Sequence, residues 1–209
     1  MTERIWFCDV PRSTSALIGF AAAASDDPDR LEVSKRLKPI FTANWRGEKV
    51  SEGDVPDKLY YRQPGRFRKP VPPVFVNGFT YLRADVAEIL RAHDMGQAAL
   101  FAVNLFQNDK VTPVEGDVFT LNVANSKPTI DPESFGLRRF VPGQDWYVLP
   151  RDLPARHGNF TAPRSTLEGP DLWVDPRIVQ TMFFSDRLVQ SLKAAKLHRQ
   201  FDLYPCKTE

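Results

Sequence analysis

The sharpest pattern in the chain is Val74-Phe75-Val76, then Asn77-Gly78, then Phe79-Thr80-Tyr81-Leu82. Two runs of β-formers flank a dipeptide able to supply the positive-φ residues of a type I′ turn, so a hairpin is expected. Asp85 then reads as a helix N-cap, with Glu88 three positions on to complete a capping box. Val86, Ile89, Leu90 and His93 share one helical face, and Gly96 is placed to end that helix. Ala99–Leu105 follows as an apolar strand. Asp117–Ala124 reads as another, with Phe119, Leu121 and Val123 alternating against Val118, Thr120 and Asn122. A second block runs from Asp171 to Cys206. Leu172-Trp173-Val174 is strand-like, Met182-Phe183-Phe184 leads to Ser185 as N-cap, and Leu188, Val189, Leu192 and Ala195 stripe a helix. Phe201-Asp202-Leu203-Tyr204 closes the block as a strand.

Outside these blocks the signal is weaker. Ile5–Val10 reads as a short strand, and helices are expected over Ser15–Ala24 and Asp29–Lys38. Asp26, Asp27 and Pro28 provide a stop and restart between them. Residues 42–73 look irregular, because eight glycines and prolines interrupt any period. Residues 125–171 are punctuated in the same way, except for a short strand over Trp146–Leu149. The expected fold is therefore α+β and loop-rich. Its sheet, mixed or antiparallel, has short strands, and its two principal amphipathic helices lie at about 85–96 and 186–198. Residues 1–73 would form an N-terminal strand, helix and irregular segment, and 74–206 the main α+β region, together one compact domain.

The two strand–helix blocks also resemble each other. Tyr81 through Val86 aligns with Phe183 through Leu188, 102 positions on, and Leu90-Arg91-Ala92 meets Leu192-Lys193-Ala194. An old duplication is one explanation. Two helices solving the same packing problem is the favoured one, because apolar stripes recur by necessity.

Composition narrows the class without naming a function. The 209 residues are 42% hydrophobic and 26% charged, with a formal net charge of +2. Such a chain buries a core of ordinary size and does not announce a nucleic-acid binder. Eighteen prolines against eleven glycines favour short elements and long connections. Cys8 and Cys206 sit near opposite ends. Two separate half-buried thiols in a reducing compartment are expected, with a bond between the termini as the alternative. Ser15–Ser25 has a short apolar run, but Glu3 and Asp9 cancel Arg4 and Arg12, so the positive start of a signal peptide is missing. No run reaches the ~20 apolar residues of a membrane span. A cytoplasmic protein is the expectation.

The catalytic inventory is thin. No phosphate loop, dinucleotide fingerprint, nucleophile elbow or zinc spacing appears. His93 and His198 fall near the ends of the two expected helices, where a partial positive charge complements exposed carbonyls. Cys8, His157 and Asp152 could in principle meet as a nucleophile, base and orienter, although nothing local supports it. Asp26, Asp27 and Asp29 lack the alternating spacing of a calcium loop, and helix capping is their commoner role. No cofactor or metal is expected.

One segment stands out for partner binding. Arg62, Arg66, Arg68 and Lys69 surround Phe67, with Tyr60 and Tyr61 just before them. Arginine and aromatics can stack bases or grip phosphates, and they also supply contact area in protein interfaces. A solvated loop between proline breaks is the plain alternative. Trp45 and Phe67, in segments read as irregular, are the aromatics expected to be partly exposed. Trp146, Trp173 and the Phe183-Phe184 pair read as core.

The C-terminal block carries a family resemblance. Asp171-Leu172-Trp173-Val174-Asp175, then Phe183-Phe184-Ser185-Asp186-Arg187-Leu188, then Leu192, Leu197 and Phe201-Asp202-Leu203-Tyr204-Pro205 resemble an immunity-protein family. It is the eleventh class of immunity proteins in bacterial polymorphic toxin systems, defined around a myxobacterial member. Phe119-Thr120-Leu121-Asn122-Val123 is similar in its order after the first helix. The resemblance spans roughly residues 74–206. The basic loop at 62–69 is not part of the family pattern, and Arg83 stands where the second block has Ser185.

The resemblance implies a non-catalytic antitoxin that binds a cognate secreted toxin, possible nuclease toxins included, and occludes its active surface. Under that reading Ser185 and Asp186 are caps, and Trp173 and Leu192 are core. A nucleic-acid-binding module using residues 62–69 is the less favoured alternative, and a small enzyme of unrecognised type the third. No membrane partner is expected.

Overall fold

A computed structural model describes residues 4–24, 26–149 and 160–209. The fold is α+β, with short strands in mixed sheets. The strands are β1 (Ile5–Cys8), β2 (Phe20–Ala21), β3 (Lys58–Tyr61), β4 (Val74–Asn77), β5 (Phe79–Arg83), β6 (Ala99–Phe106), β7 (Val118–Asn122), β8 (Arg138–Arg139), β9 (Tyr147–Val148), β10 (Thr161–Ala162), β11 (Leu172–Val174), β12 (Met182–Ser185) and β13 (Leu203–Thr208). The α-helices are α1 (Arg30–Trp45), α2 (Ala84–Arg91) and α3 (Asp186–Ala194). A six-stranded sheet runs in the order β2-β3-β6-β7-β5-β4, and a five-stranded sheet in the order β10-β13-β1-β12-β11. β8 and β9 pair separately.

Period-2 alternation assigns each strand face to its own core. Val74, Val76 and Leu82 of one sheet meet Trp6, Cys8, Leu172, Val174, Met182 and Phe184 of the other, and α2 and α3 supply Val86, Leu90, Leu188, Val189 and Leu192 to the same cluster. On the opposite face of the five-stranded sheet, Ile5, Phe7, Trp173 and Phe183 pack with Tyr147, Leu149 and Phe160. On the opposite face of the six-stranded sheet, Phe75, Phe79, Tyr81, Val103 and Val118 pack with Phe20 and Leu59. Strands buried on both faces read as continuous apolar runs, which is why β1, β4, β5 and β12 show little polar alternation.

The two sheets repeat one plan. In each, a hairpin (β4–β5 or β11–β12) leads into a helix (α2 or α3) and then to a strand two places away (β6 or β13). An antiparallel strand fills the gap, β7 in one half and β1 in the other. A strand parallel to the third flanks it, β3 or β10. The registers coincide. Tyr81 pairs Thr120 as Phe183 pairs Phe7, and Val103 pairs Val118 as Cys206 pairs Ile5.

Side-chain contacts coincide as well. Phe75 stacks on Tyr81 at 4.9 Å and 16°, and Trp173 on Phe183 at 6.0 Å and 15°. Arg91 lies 4.6 Å over Phe119, and Lys193 lies 4.3 Å over Trp6. The Arg83 N–H donates to the Pro73 carbonyl and the Ser185 N–H to that of Asp171, both at 2.9 Å. A shared packing solution for one helix would not fix the pairing register of four strands and a cation over the same ring. The likeness of the two halves therefore extends past two similarly packed helices to a shared sheet plan and register. The second half is completed by β1, which comes from the opposite end of the chain.

Several local expectations are corrected. Ser15–Ala24 is not a helix. Short 3-10 turns occupy Val10–Arg12 and Thr14–Ala16, and Phe20-Ala21 pairs with Tyr61 and Tyr60 as a strand. Alanine favours helix locally, but strand pairing and burial of Phe20 override it. α1 runs seven residues past Lys38, through Pro39, so Trp45 is helical. Pro39 is exposed there, where water can satisfy the carbonyl that its missing N–H leaves free. Lys58–Tyr61 is a strand within the supposed irregular stretch.

The hairpin exists, but its apex is Gly78 alone, at φ +74°, and Asn77 stays in the ladder opposite Phe79. Asp85 and Glu88 form no capping box. Arg83 is the N-cap, and its guanidinium instead chelates Asp85 at 2.6 and 2.9 Å. Both amphipathic helices end earlier than expected, at Arg91 and Ala194, and the closing strand is Leu203–Thr208. The Ser185 cap forms as expected, its hydroxyl accepting from the Leu188 N–H at 3.2 Å. Cys8 and Cys206 are both fully buried, more so than the half-burial expected, and they are unbonded. The β1–β13 register sets Cys206 opposite Ile5 and Cys8 opposite Leu203. No helix among the described residues is long and apolar enough to cross a membrane.

Candidate functional site

The basic segment leaves β3 and crosses the open end of the six-stranded sheet. The Arg62 N–H donates to the Gly19 carbonyl at 2.9 Å, which holds the segment against the chain entering β2. Phe67 does not stand out in solvent. Its ring packs edge-on against Phe20 at 5.0 Å and Tyr61 at 5.3 Å. The side chain of Gln107 clamps its backbone from both sides, accepting from its N–H at 2.8 Å and donating to its carbonyl at 3.0 Å. Tyr61 donates to Gln63, and Tyr60 stacks on Phe106 at 5.8 Å. These aromatics anchor the loop.

The cations are exposed but do not form one patch. Arg66 lies near Asp109, whose carboxyl is held below its usual range by hydrogen bonds from Thr112 and Val111, with Arg66 adding a smaller pull. Arg68 and Lys69 border a cavity with Arg83, Val71 and Glu115. Arg62 lines a separate concavity beside α1. Trp45 is half-buried at the far end of α1, where its Nε1 donates to the Gly78 carbonyl at 3.2 Å and its ring stacks on Phe41. Of the eight candidates, Arg62 lines a concavity beside α1, Phe67, Arg68 and Lys69 border a different one, and Phe67 and Tyr61 brace the chain between.

That concavity has a volume of about 410 Å³ and lies between α1, β2 and the β4–β5 hairpin. Arg30, Leu31 and Ser34 come from the first turns of α1, Arg62 from the basic segment, and Asn77 and Tyr81 from the hairpin. The Asn77 side chain donates to the Phe20 carbonyl and closes the gap between edge strands β2 and β4. Arg62 and Asn77 are shared with a neighbouring hollow that Leu17 lines. Leu17 and Leu31 are 57% and 65% exposed, so two large apolar side chains flank two arginines on one face. Sequence reading missed Arg30, Leu31, Ser34 and Tyr81. Arg30 and Leu31 looked like ordinary surface of a short helix, and Tyr81 like a strand residue.

The remaining candidates take structural places. His93 bridges α2 and α3, with Nδ1 2.8 Å from the Ile89 carbonyl and Nε2 3.1 Å from the Ser191 hydroxyl. His198 opens a 3-10 turn beyond α3. His157 and Asp152 lie outside the described residues. Cys8 is buried, donates to the Phe201 carbonyl at 2.9 Å, and has its thiol pushed well up by burial. A thiol so placed is a poor nucleophile. Asp26 pairs with Lys110 at 2.9 Å, and Asp27 accepts from the Asp29 N–H.

No protein-family model matches the chain, and no curated protein matches it. The residues behind the immunity-family resemblance have clear structural jobs. Trp173 is fully buried and donates to the Thr129 hydroxyl at 2.8 Å, with the Lys127 ammonium 3.7 Å over its ring. Burial lowers the Lys127 pKa to about 8, against the smaller raising pull of Asp171 and Asp94. Asp171 and Asp175 bracket β11. Asp171 accepts from the Asp94 N–H, Ser185 and Arg187, and so ties the block after α2 to the start of α3. Asp175 accepts from the Thr129 and Ile130 N–H groups and from Arg177. These motifs describe a scaffold and leave the partner surface unspecified.

Proposed function

We propose that the protein is an immunity protein that binds a cognate secreted toxin in the producing cell and occludes its active surface. The observation that supports this most directly is the face around Arg62. There Leu17 and Leu31 project beside Arg30 and Arg62 over a concave floor. Arginine is enriched among interface hot spots, exposed leucines beside it add apolar area that a partner can cover, and a standard interface needs ~1,600 Å² around such a cluster. Most of the residues resembling the immunity family lie away from this face, in the five-stranded sheet. An inhibitor of this kind needs surface complementarity and no reacting group of its own.

The nucleic-acid reading gains less support. Phe67 is spent on Phe20 and Tyr61, so the basic segment offers no free aromatic platform at its centre.

Co-expression with the toxin encoded beside it should yield a stable complex and restore growth. The double variant Leu17→Asp, Leu31→Asp should weaken that complex at least a hundredfold without changing the unfolding midpoint, because both side chains are exposed. A complex indifferent to both charges would move the interface elsewhere. Growth inhibition unrelieved by the wild-type protein would end the immunity reading.

A further inference from the structure

We infer that the open edge of β4 is a docking site for an extended segment of another protein, which pairs with Val76 as a parallel strand. The Arg83 N–H bonds the Pro73 carbonyl, so antiparallel alternation makes Phe75 and Tyr81 the next bonded pair. Val74 and Val76 therefore turn their N–H and C=O groups away from β5, outward from the sheet. Those groups make no hydrogen bond among the described residues. Both residues are nonetheless buried, at 4% and 6% exposure. Main-chain groups so placed are costly to leave unpaired.

The other half shows what satisfies this edge. Phe75 pairs with Tyr81 as Trp173 pairs with Phe183, so Val174 is the counterpart of Val76. Val174 also faces outward, and there a stretch of chain pairs with it. Its N–H donates to the Asn125 carbonyl and its carbonyl accepts from the Lys127 N–H, both at 3.0 Å, with Ser126 opposite in a parallel bridge. Among the described residues no chain makes the corresponding bonds to Val76. β2 comes near, but it is the Asn77 side chain that reaches the Phe20 carbonyl, and the Gly19 carbonyl is taken by the Arg62 N–H. Two hollows of about 500 and 300 Å³ border Val76 instead, and Leu17, 57% exposed, lines both. Pro11, Val148 and Leu149 line the larger one. An incoming segment repeats the two bonds made at Val174, and an apolar side chain on it fills the larger hollow. In strand addition the main chain supplies affinity and such pockets supply specificity. A second copy of this chain fits less well, because two-fold pairing of β4 with itself runs antiparallel.

The inference does not depend on the partner being a toxin, and a peptide tests it. Amide exchange of the full chain, read by NMR, should find the Val76 amide at least about a hundredfold less protected than that of Val174. The blocked pentapeptide Thr-Val-Thr-Leu-Thr should shift the Val74 and Val76 amide signals and slow their exchange, with a Kd of about 1 mM. The same peptide with every backbone nitrogen methylated should not bind, since it cannot donate to the Val76 carbonyl. Val76→Pro removes an N–H that the β5 ladder does not use, and should weaken the peptide about tenfold or more. Leu17→Ser, at an exposed position, should weaken it several-fold with the unfolding midpoint unchanged. Equal protection of Val76 and Val174 would overturn the inference. So would unmoved amide signals at about 10 mM peptide, equal binding of the methylated peptide, or protection of Val76 by a concentration-dependent dimer. None of these outcomes bears on whether a toxin is neutralised, so the two proposals fail separately.

Discussion

Asp175→Ala tests whether the carboxylates bracketing β11 hold the scaffold together. Asp175 is fully buried. Oδ2 accepts from the Thr129 N–H at 2.7 Å, the Ile130 N–H at 3.1 Å and the Arg177 guanidinium at 2.9 Å. Oδ1 accepts from the Arg177 N–H and Nε, each at 3.0 Å. Truncation leaves two buried backbone donors unpaired, at about 1–3 kcal/mol each. It also removes the partner of Arg177, a loss of about 3–5 kcal/mol in a dry interior. The Arg177 side chain is 30% exposed, so water recovers much of that second part. The contributions overlap, and a net loss of about 4 kcal/mol is expected, a large share of the ~5–15 kcal/mol that stabilises a domain. Asp175→Asn keeps one acceptor oxygen and the volume, and should lose about half as much. Urea unfolding followed by tryptophan fluorescence measures both, and Trp173 reports locally because its Nε1 donates to Thr129. A loss below about 1 kcal/mol for Asp175→Ala would refute the anchoring role.

Gly78→Ala should destabilise by about 2–4 kcal/mol in the same assay, since φ is +74° and a new Cβ would fall 2.3 Å from the Phe41 ring; an unchanged midpoint would mean that α1 does not press on the hairpin. Acid should weaken the fold through Asp171. Burial raises its pKa, but hydrogen bonds from Arg187, Ser185 and the Asp94 N–H outweigh that and hold it below the usual carboxylate range. Its stabilisation is therefore complete above the unfolded value, about 3.9, and is lost as pH falls through the lower folded one. Asp171→Asn should flatten that acid limb of the pH–stability curve, and an identical limb would exclude Asp171 as its source. A circular permutant joining Glu209 to Arg4 by a short linker and opened between Thr14 and Ser15 should fold to within about 1 kcal/mol of the parent by urea titration. The ends suit it, because Ile5 lies opposite Cys206, and failure to fold would argue that β1 must enter the sheet from a free terminus.

What the sequence made legible follows from how local each signal is. β4, β5, α2, β12 and α3 are contiguous and strongly apolar, and the Ser185 cap forms where its position indicated. β2 was hidden because two residues followed by three further alanines carry no period, and only Tyr60 and Tyr61 across the ladder make them a strand. The extension of α1 was hidden behind Pro39, which ends most helices but sits here on an exposed face. Asn77-Gly78 named the turn correctly but not its type, because the Asn77 side chain is needed on the Phe20 carbonyl. The candidate site was the least legible. Arg62 could be singled out as one of a basic run. Its association with Arg30 and Tyr81 depends on α1 lying over the hairpin, where the Phe41 ring packs at Gly78.

The repeated plan gives a way to separate what the fold requires from what it does not. Where both halves keep the same contact through different residues, the contact is structural: Phe75 with Tyr81 and Trp173 with Phe183, or Arg91 on Phe119 and Lys193 on Trp6. By that criterion Trp173 packs the core, and the resemblance it carries concerns architecture. Where the halves differ, the shared plan leaves the residue open, as at the helix caps Arg83 and Ser185. The Tyr81 hydroxyl has no counterpart on Phe183, and α1, which precedes β3 in the first half, has no counterpart among the described residues of the second. Both differences meet at one place, the cavity that Arg30 and Arg62 also line.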